Sequence, residues 1–189
     1  MFDTKILSGI EASHALYDSL HDRIHALKEK GITPGLAAIL IGEDPASQIY
    51  VRNKTKRFDA LGLKSELHRL EDSVSEQEVL DLIVQINADD SFHGILVQLP
   101  LPKHIDKQKV IETISPDKDV DGFHPVNVGN LSSGYESTVP CTPLGCYLLI
   151  KKFEKTKGWL AKKLSSSENH VDELVNKIEE RSIWQKYGF

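Results

Sequence analysis

The sequence predicts an α/β protein, an open and mostly parallel sheet with helices on both faces, followed by a helical C-terminal tail. Two short continuous apolar runs, Leu36-Ala37-Ala38-Ile39-Leu40-Ile41 and Gly94-Ile95-Leu96-Val97-Gln98-Leu99, carry the first signal. Each is bounded by glycine or proline and too short for a buried helix, so each reads as a strand buried on both faces. Stretches with apolar residues three and four apart alternate with these runs, which is the helical period. Helix, strand and helix in alternation give a parallel sheet, and right-handed crossovers then cover both faces.

The elements follow in order. Ser8-Gly9-Ile10-Glu11 has the form of a capping box, and Gly31 a C-terminal stop. Between them Tyr17, Leu20, Ile24 and Leu27 form an amphipathic stripe. Pro34-Gly35 turns the chain into the first strand. After the loop Gly42 to Ala46, Ser47 is expected to cap a helix ending near Gly62. Lys64 to Leu70 is a weaker strand. Ser75 to Glu78 opens another helix, with Val79, Leu82, Ile83 and Ile86 as its apolar stripe. The second strong strand is stopped by Pro100 and Pro102.

A short helix is expected near Lys107 to Ile114. Ser115 to Phe123 reads as a loop around a very short strand, and Thr142-Pro143 starts a helix with proline at its first position. The character changes after Ile150. Residues 1–150 carry 14 Lys+Arg and 22 Asp+Glu, net −8, whereas the last 39 carry 9 and 6, net +3. The reading is a catalytic α/β domain over 1–150 and a helical tail over 151–189. In the tail, Ser165-Ser166-Ser167 separates two helical patterns. Val171, Leu174, Val175 and Ile178 stripe the second of them, and it is expected to fold back onto the first domain.

Composition narrows the function classes. A chain of 189 residues that is 40% hydrophobic and 27% charged fits a globular protein with a sizeable core. A net charge of −5 gives no reason to expect nucleic acid as partner. No apolar run reaches membrane-spanning length, and the start does not read as a signal peptide. Cys141 and Cys146 make no disulfide framework or zinc spacing, so no metal is expected. These features together predict a cytoplasmic protein.

The chemistry gathers at one rim. In an open parallel sheet, ligands bind outside the carboxyl ends of the strands. The first strand delivers the chain to Ser47, Tyr50 and Lys54, which share one helix face at spacings of three and seven. A hydroxyl, an aromatic plate and an amine in a row could hold a flat ligand and move a proton beside it. The second strand brings Gln98 to the same rim, and the short strand near Val120 brings Asp121. Taken singly, Gln98 reads as a strand-end polar residue, Asp121 as a turn former, Tyr50 as a half-buried core aromatic and Lys54 as a snorkelling lysine. The eight histidines lack metal spacing and read as surface or core residues.

Joined in order, these residues resemble the tetrahydrofolate dehydrogenase/cyclohydrolase family. The resemblance is carried by Ser47-x-x-Tyr50-Val51-x-x-Lys54, Gly94 to Pro102, Asp117-Lys118-Asp119-Val120-Asp121-Gly122, Asn127-Val128-Gly129 and Pro140-Cys141-Thr142-Pro143-Leu144-Gly145, over roughly residues 1–152. It implies oxidation of 5,10-methylenetetrahydrofolate with NADP and hydrolysis of the methenyl product to 10-formyltetrahydrofolate, in purine-linked one-carbon metabolism. It also implies a homodimer. Lys54 would be the catalytic amine, held by Gln98, while Tyr50 stacks on the folate beside Ser47 and Asp121 accepts from the pterin N–H groups. The family continues into a dinucleotide domain, whereas the residues after Ile150 hold two lone glycines and no glycine-rich turn opening a helix. NADP residues are therefore not assigned, and hydrolysis is the step expected to survive. The alternatives are a non-catalytic folate-binding or interaction module and a gene fragment without activity of its own.

Overall fold

The computed structural model describes residues 8–157. The chain runs α1 (Gly9–Glu29), β1 (Gly35–Ile41), α2 (Pro45–Ala60), β2 (Lys64–Leu70), α3 (Glu76–Ala88), β3 (Gly94–Val97), α4 (Lys107–Thr113), α5 (Pro125–Ser132) and α6 (Cys141–Lys157). The three strands form one parallel sheet in the order β2-β1-β3. An isolated parallel bridge, Ile95 to Asp119, continues it beyond β3 where the very short strand was expected.

β1 is buried along its whole length, because helices cover both sides of it. Ala37, Ile39 and Ile41 point to one side with Ile95 and Val97, against Val79, Ile83 and Ile86 of α3 and Val110 of α4. Leu36, Ala38 and Leu40 point to the other with Leu96, against Val51 and Phe58 of α2. This is the strand alternation of period two, with both faces apolar. Each fully buried aliphatic side chain contributes about 1.5–3 kcal/mol of transfer free energy. Ile24 and Leu27 of α1 make a smaller cluster with Leu20, Leu61 and Leu63.

Three boundaries differ from the sequence reading. Ser47 does not cap α2. Asp44 does, accepting from the Ser47 N–H at 2.7 Å, with Pro45 in the first turn. A carboxylate ahead of a proline outcompetes a hydroxyl three residues later, because proline prefers the first helical position and lacks an N–H to satisfy. α6 starts at Cys141, so Pro143 sits inside its first turn rather than at its first position. α5 has no counterpart in the reading, since its stripe is short and follows a proline. His124 caps it, with Nδ1 accepting from the Val126 N–H at 3.1 Å.

The other elements fall where periodicity and capping put them. Ser8 accepts from the Glu11 N–H, and Ser75 with Glu78 makes a complete capping box. α6 runs through Ile150 to Lys157. The proposed tail helix and its stripe from Val171 to Ile178 lie outside the described residues.

Candidate active site

Three pieces of chain meet at the carboxyl edge of the sheet: the start of α2, the segment after β3, and the turn after Val120. β1 ends at Ile41, and Gly42 turns the chain in the left-handed region, φ +76°, into α2. Ser47, Tyr50 and Lys54 then sit on the same helix, as their spacing requires. Ser47 is 4% exposed, Tyr50 is 63% exposed and Lys54 is half-buried. Exposure thus peaks at Tyr50 in the middle of the row, with Ser47 buried on one side of it and Lys54 half-buried on the other.

Gln98 follows directly on β3, its N–H donating to the Ile39 carbonyl at 2.9 Å in continuation of the sheet. Its side-chain amide folds back, Nε2 donating to the Leu99 carbonyl at 2.8 Å. Ser47 Oγ donates to that same carbonyl at 3.5 Å. The start of α2 is thereby tied to the segment that carries Gln98.

Asp121 lies in an apolar depression lined by Ile95, Val97, Leu99, Ile111, Phe123 and Asp119. Burial pushes its carboxyl pKa above the ordinary range, and the negative charge of Asp119 adds to the rise. Lys54 pulls the other way, which places its ammonium within electrostatic reach of Asp121. The Cys141 thiol at the start of α6 feels the same groups. Burial raises its pKa first, Asp121 raises it further, and Lys54 lowers it. By surface area Cys141 is exposed.

Of the residues singled out in the sequence, the structure links Lys54 with Asp121 electrostatically, and Ser47 with Gln98 through one acceptor. Tyr50, between Ser47 and Lys54, is the most exposed of the row. Asp119 was not singled out. It is 3% exposed and accepts three hydrogen bonds, from Gly122 N–H at 3.0 Å, His124 N–H at 2.8 Å and Asn127 Nδ2 at 2.9 Å. The signal was an Asp three residues before a glycine, the pattern of a side chain capping its own turn. The Thr138 hydroxyl, buried beside Gly122, has no hydrogen-bond partner among the described residues.

The sequence model of the tetrahydrofolate dehydrogenase/cyclohydrolase catalytic domain matches residues 7–121. The chain belongs to that family. It is 61% identical over 150 residues to the bifunctional protein FolD of Pelagibacter ubique, covering 79% of this chain and 53% of the relative. It is 53% identical over 147 residues to FolD of Bacillus pumilus, covering 78% and 52%. Among solved structures, FolD of Campylobacter jejuni, a methylenetetrahydrofolate dehydrogenase/cyclohydrolase, superposes with a TM-score of 0.76 at 48% identity, over 79% of this chain and 54% of that one. The Trypanosoma brucei enzyme, solved with NADP and an inhibitor, gives 0.75 at 32% identity, over 84% and 53%. The chain therefore spans about half the length of the relatives it matches.

Among the described residues no group of three His, Cys, Asp or Glu side chains is arranged to hold a metal ion. No described helix is long and apolar enough to cross a membrane.

Proposed function

We propose that residues 1–150 bind a reduced folate at this rim and hydrolyse 5,10-methenyltetrahydrofolate to the 10-formyl product. The observation that carries this reading is that Lys54 of α2 comes within electrostatic reach of Asp121, in the turn after Val120, whose carboxyl lines an apolar depression. Asp121, when ionised, would accept from the amino and ring N–H groups of the pterin, a charge-assisted contact. Tyr50, largely open to solvent, offers its ring for stacking. Lys54 would take a proton from water as its oxygen adds to the cationic methenyl carbon. The bond from that carbon to N5 then breaks as Lys54 returns its proton to N5, the hydroxyl proton is released to solvent, and the formyl group stays on N10. The Gln98 carboxamide oxygen would hold the lysine, since its Nε2 is committed to Leu99.

NADP, bound by the Trypanosoma brucei relative, does not fit the βα turns described here. A dinucleotide phosphate needs a glycine-rich turn with free N–H groups at a helix N-terminus. The turn into α2 is Gly42-Glu43-Asp44, and the Asp44 carboxylate already takes the Ser47 N–H. The turn into α3 is occupied by its own capping box and carries Glu76 and Glu78 in the first turn. Both would repel a phosphate. These two turns thus offer NADP no phosphate cradle.

The second reading is a folate-binding module without catalysis. Lys54 beside Asp121 favours the enzyme, because a binder has no need of an amine there. Purified protein assayed for loss of methenyltetrahydrofolate without nucleotide decides between them. Turnover above the uncatalysed rate supports hydrolysis, and binding without turnover supports the module.

A further inference from the structure

We propose that Asp119 is a positioning residue, whose buried carboxylate locks the turn 119–124 so that Asp121 is already aimed when folate arrives. This rests on Asp121 being the pterin contact. Asp119 stands where the chain leaves the sheet: it bridges to Ile95, and its own N–H donates to the Ser115 carbonyl at 3.0 Å. Its two carboxylate oxygens then reach forward. Oδ1 accepts from Gly122, while Oδ2 accepts from both His124 and Asn127. Asn127 is itself held, its Nδ2 also donating to the Pro116 carbonyl at 2.9 Å and its carbonyl accepting from Ser137 Oγ at 2.7 Å. Asp121 is thus the third residue of a turn that Asp119 closes onto Gly122 and His124.

The next residue adds a stop. Gly122 has φ +68°, and a Cβ there would lie 2.8 Å from the Thr138 carbonyl. Position 122 therefore excludes any side chain, and only a glycine lets the turn pass this close to Thr138. A carboxylate buried without a cation is costly unless hydrogen bonds replace its water. Three N–H groups do so here, and an asparagine could not, because one of its ends is a donor. A turn needing closure alone would not require a full charge. That charge also acts on Asp121, adding to the upward push from burial against the opposing pull of Lys54, with the Cys141 thiol from α6 nearby.

The test uses the full 189-residue chain and tetrahydrofolate as ligand, titrated calorimetrically across pH. Four proteins are compared: wild type, Asp121→Asn, Asp119→Asn and Asn127→Ala. Wild-type affinity in Asp121→Asn would overturn the pterin contact itself, whatever Asp119 does. With that contact standing, Asp119→Asn is expected to bind at least about tenfold more weakly, the scale of loss from a misplaced site group. Its acid midpoint of binding should also move to lower pH, because a negative neighbour of Asp121 has gone. Asn127→Ala should weaken binding and leave that midpoint in place. A folded Asp119→Asn with wild-type affinity and midpoint would overturn the proposal, and so would a folded Asn127→Ala with wild-type affinity. Amide exchange on the ligand-free wild type stands independently of variant folding. Protected Gly122 and His124 amides support a preset turn, and exchange at random-coil rates overturns it.

Discussion

Ser47 and Gln98 share an acceptor: the Leu99 carbonyl takes the Ser47 hydroxyl at 3.5 Å and the Gln98 amide at 2.8 Å. The helix bearing Lys54 is thereby joined to the strand end bearing Gln98. Ser47→Ala removes the longer of the two bonds and leaves the carbonyl its shorter one. The expected cost is below about 1 kcal/mol of stability, at the low end for a hydrogen bond. Hydrolysis should fall only a few-fold, because Ser47 is too buried to be the residue that carries proton transfer. Denaturant unfolding alongside the methenyl assay checks both, and a loss of several hundredfold would give Ser47 a chemical role.

Lys54→Met is expected to lose hydrolysis by roughly 10²–10⁴-fold, the usual contribution of a placed acid or base. Tetrahydrofolate should still bind, since Tyr50 and Asp121 remain. Wild-type turnover in this variant would remove Lys54 from the mechanism.

Asp121→Asn separates stability from function. Burial raises the carboxyl pKa in the folded state, so folding is favoured by its neutral form. That contribution is fully present below the unfolded value near 3.8 and is lost as pH rises through the folded value. A neutral asparagine should therefore be more stable than wild type at pH 7, with the gap closing in acid. Folate affinity should move the opposite way, falling roughly 10–100-fold as a charged hydrogen-bond acceptor is lost. Thermal melts at pH 7 and pH 3.5, paired with calorimetry, test the two signs. A variant less stable than wild type at neutral pH contradicts the first.

Glycine substitutions should rank by what a Cβ would strike. At Gly35 it would lie 2.1 Å from the Ser91 backbone carbonyl, which cannot rotate away. Gly35→Ala is expected to cost 3 kcal/mol or more, at or beyond the upper end of about 1–3 for overpacking. At Gly9, in the first turn of α1, nothing lies within 4 Å. Gly9→Ala should be neutral or stabilise by up to about 1 kcal/mol through helix propensity and unfolded-chain entropy. Urea unfolding of both variants gives the comparison, and equal effects would contradict the contact geometry.

The sequence alone determined the sheet, because an apolar run of six residues between glycines has few other fates. It also determined the faces of α1, α3 and the row Ser47, Tyr50 and Lys54, since helical spacing is a local property. Family membership was legible for the same reason, as long motifs in a set order need no coordinates. The tertiary structure decided what spacing cannot express. Asp44 rather than Ser47 caps α2, because capping depends on which side chain reaches the free N–H groups. α5 formed where the apolar pattern was too short to show, with His124 capping it and Asn127 buried against Asp119. Asp119 was not singled out along the chain, and Asp121 and Lys54 read singly as a turn former and a snorkelling lysine. Folding buries the first among three N–H groups, sets the second in an apolar depression and brings the third, on α2, within electrostatic reach of it. Burial and the approach of charges distant in sequence are properties of packing, and packing is where this site acquires its chemistry.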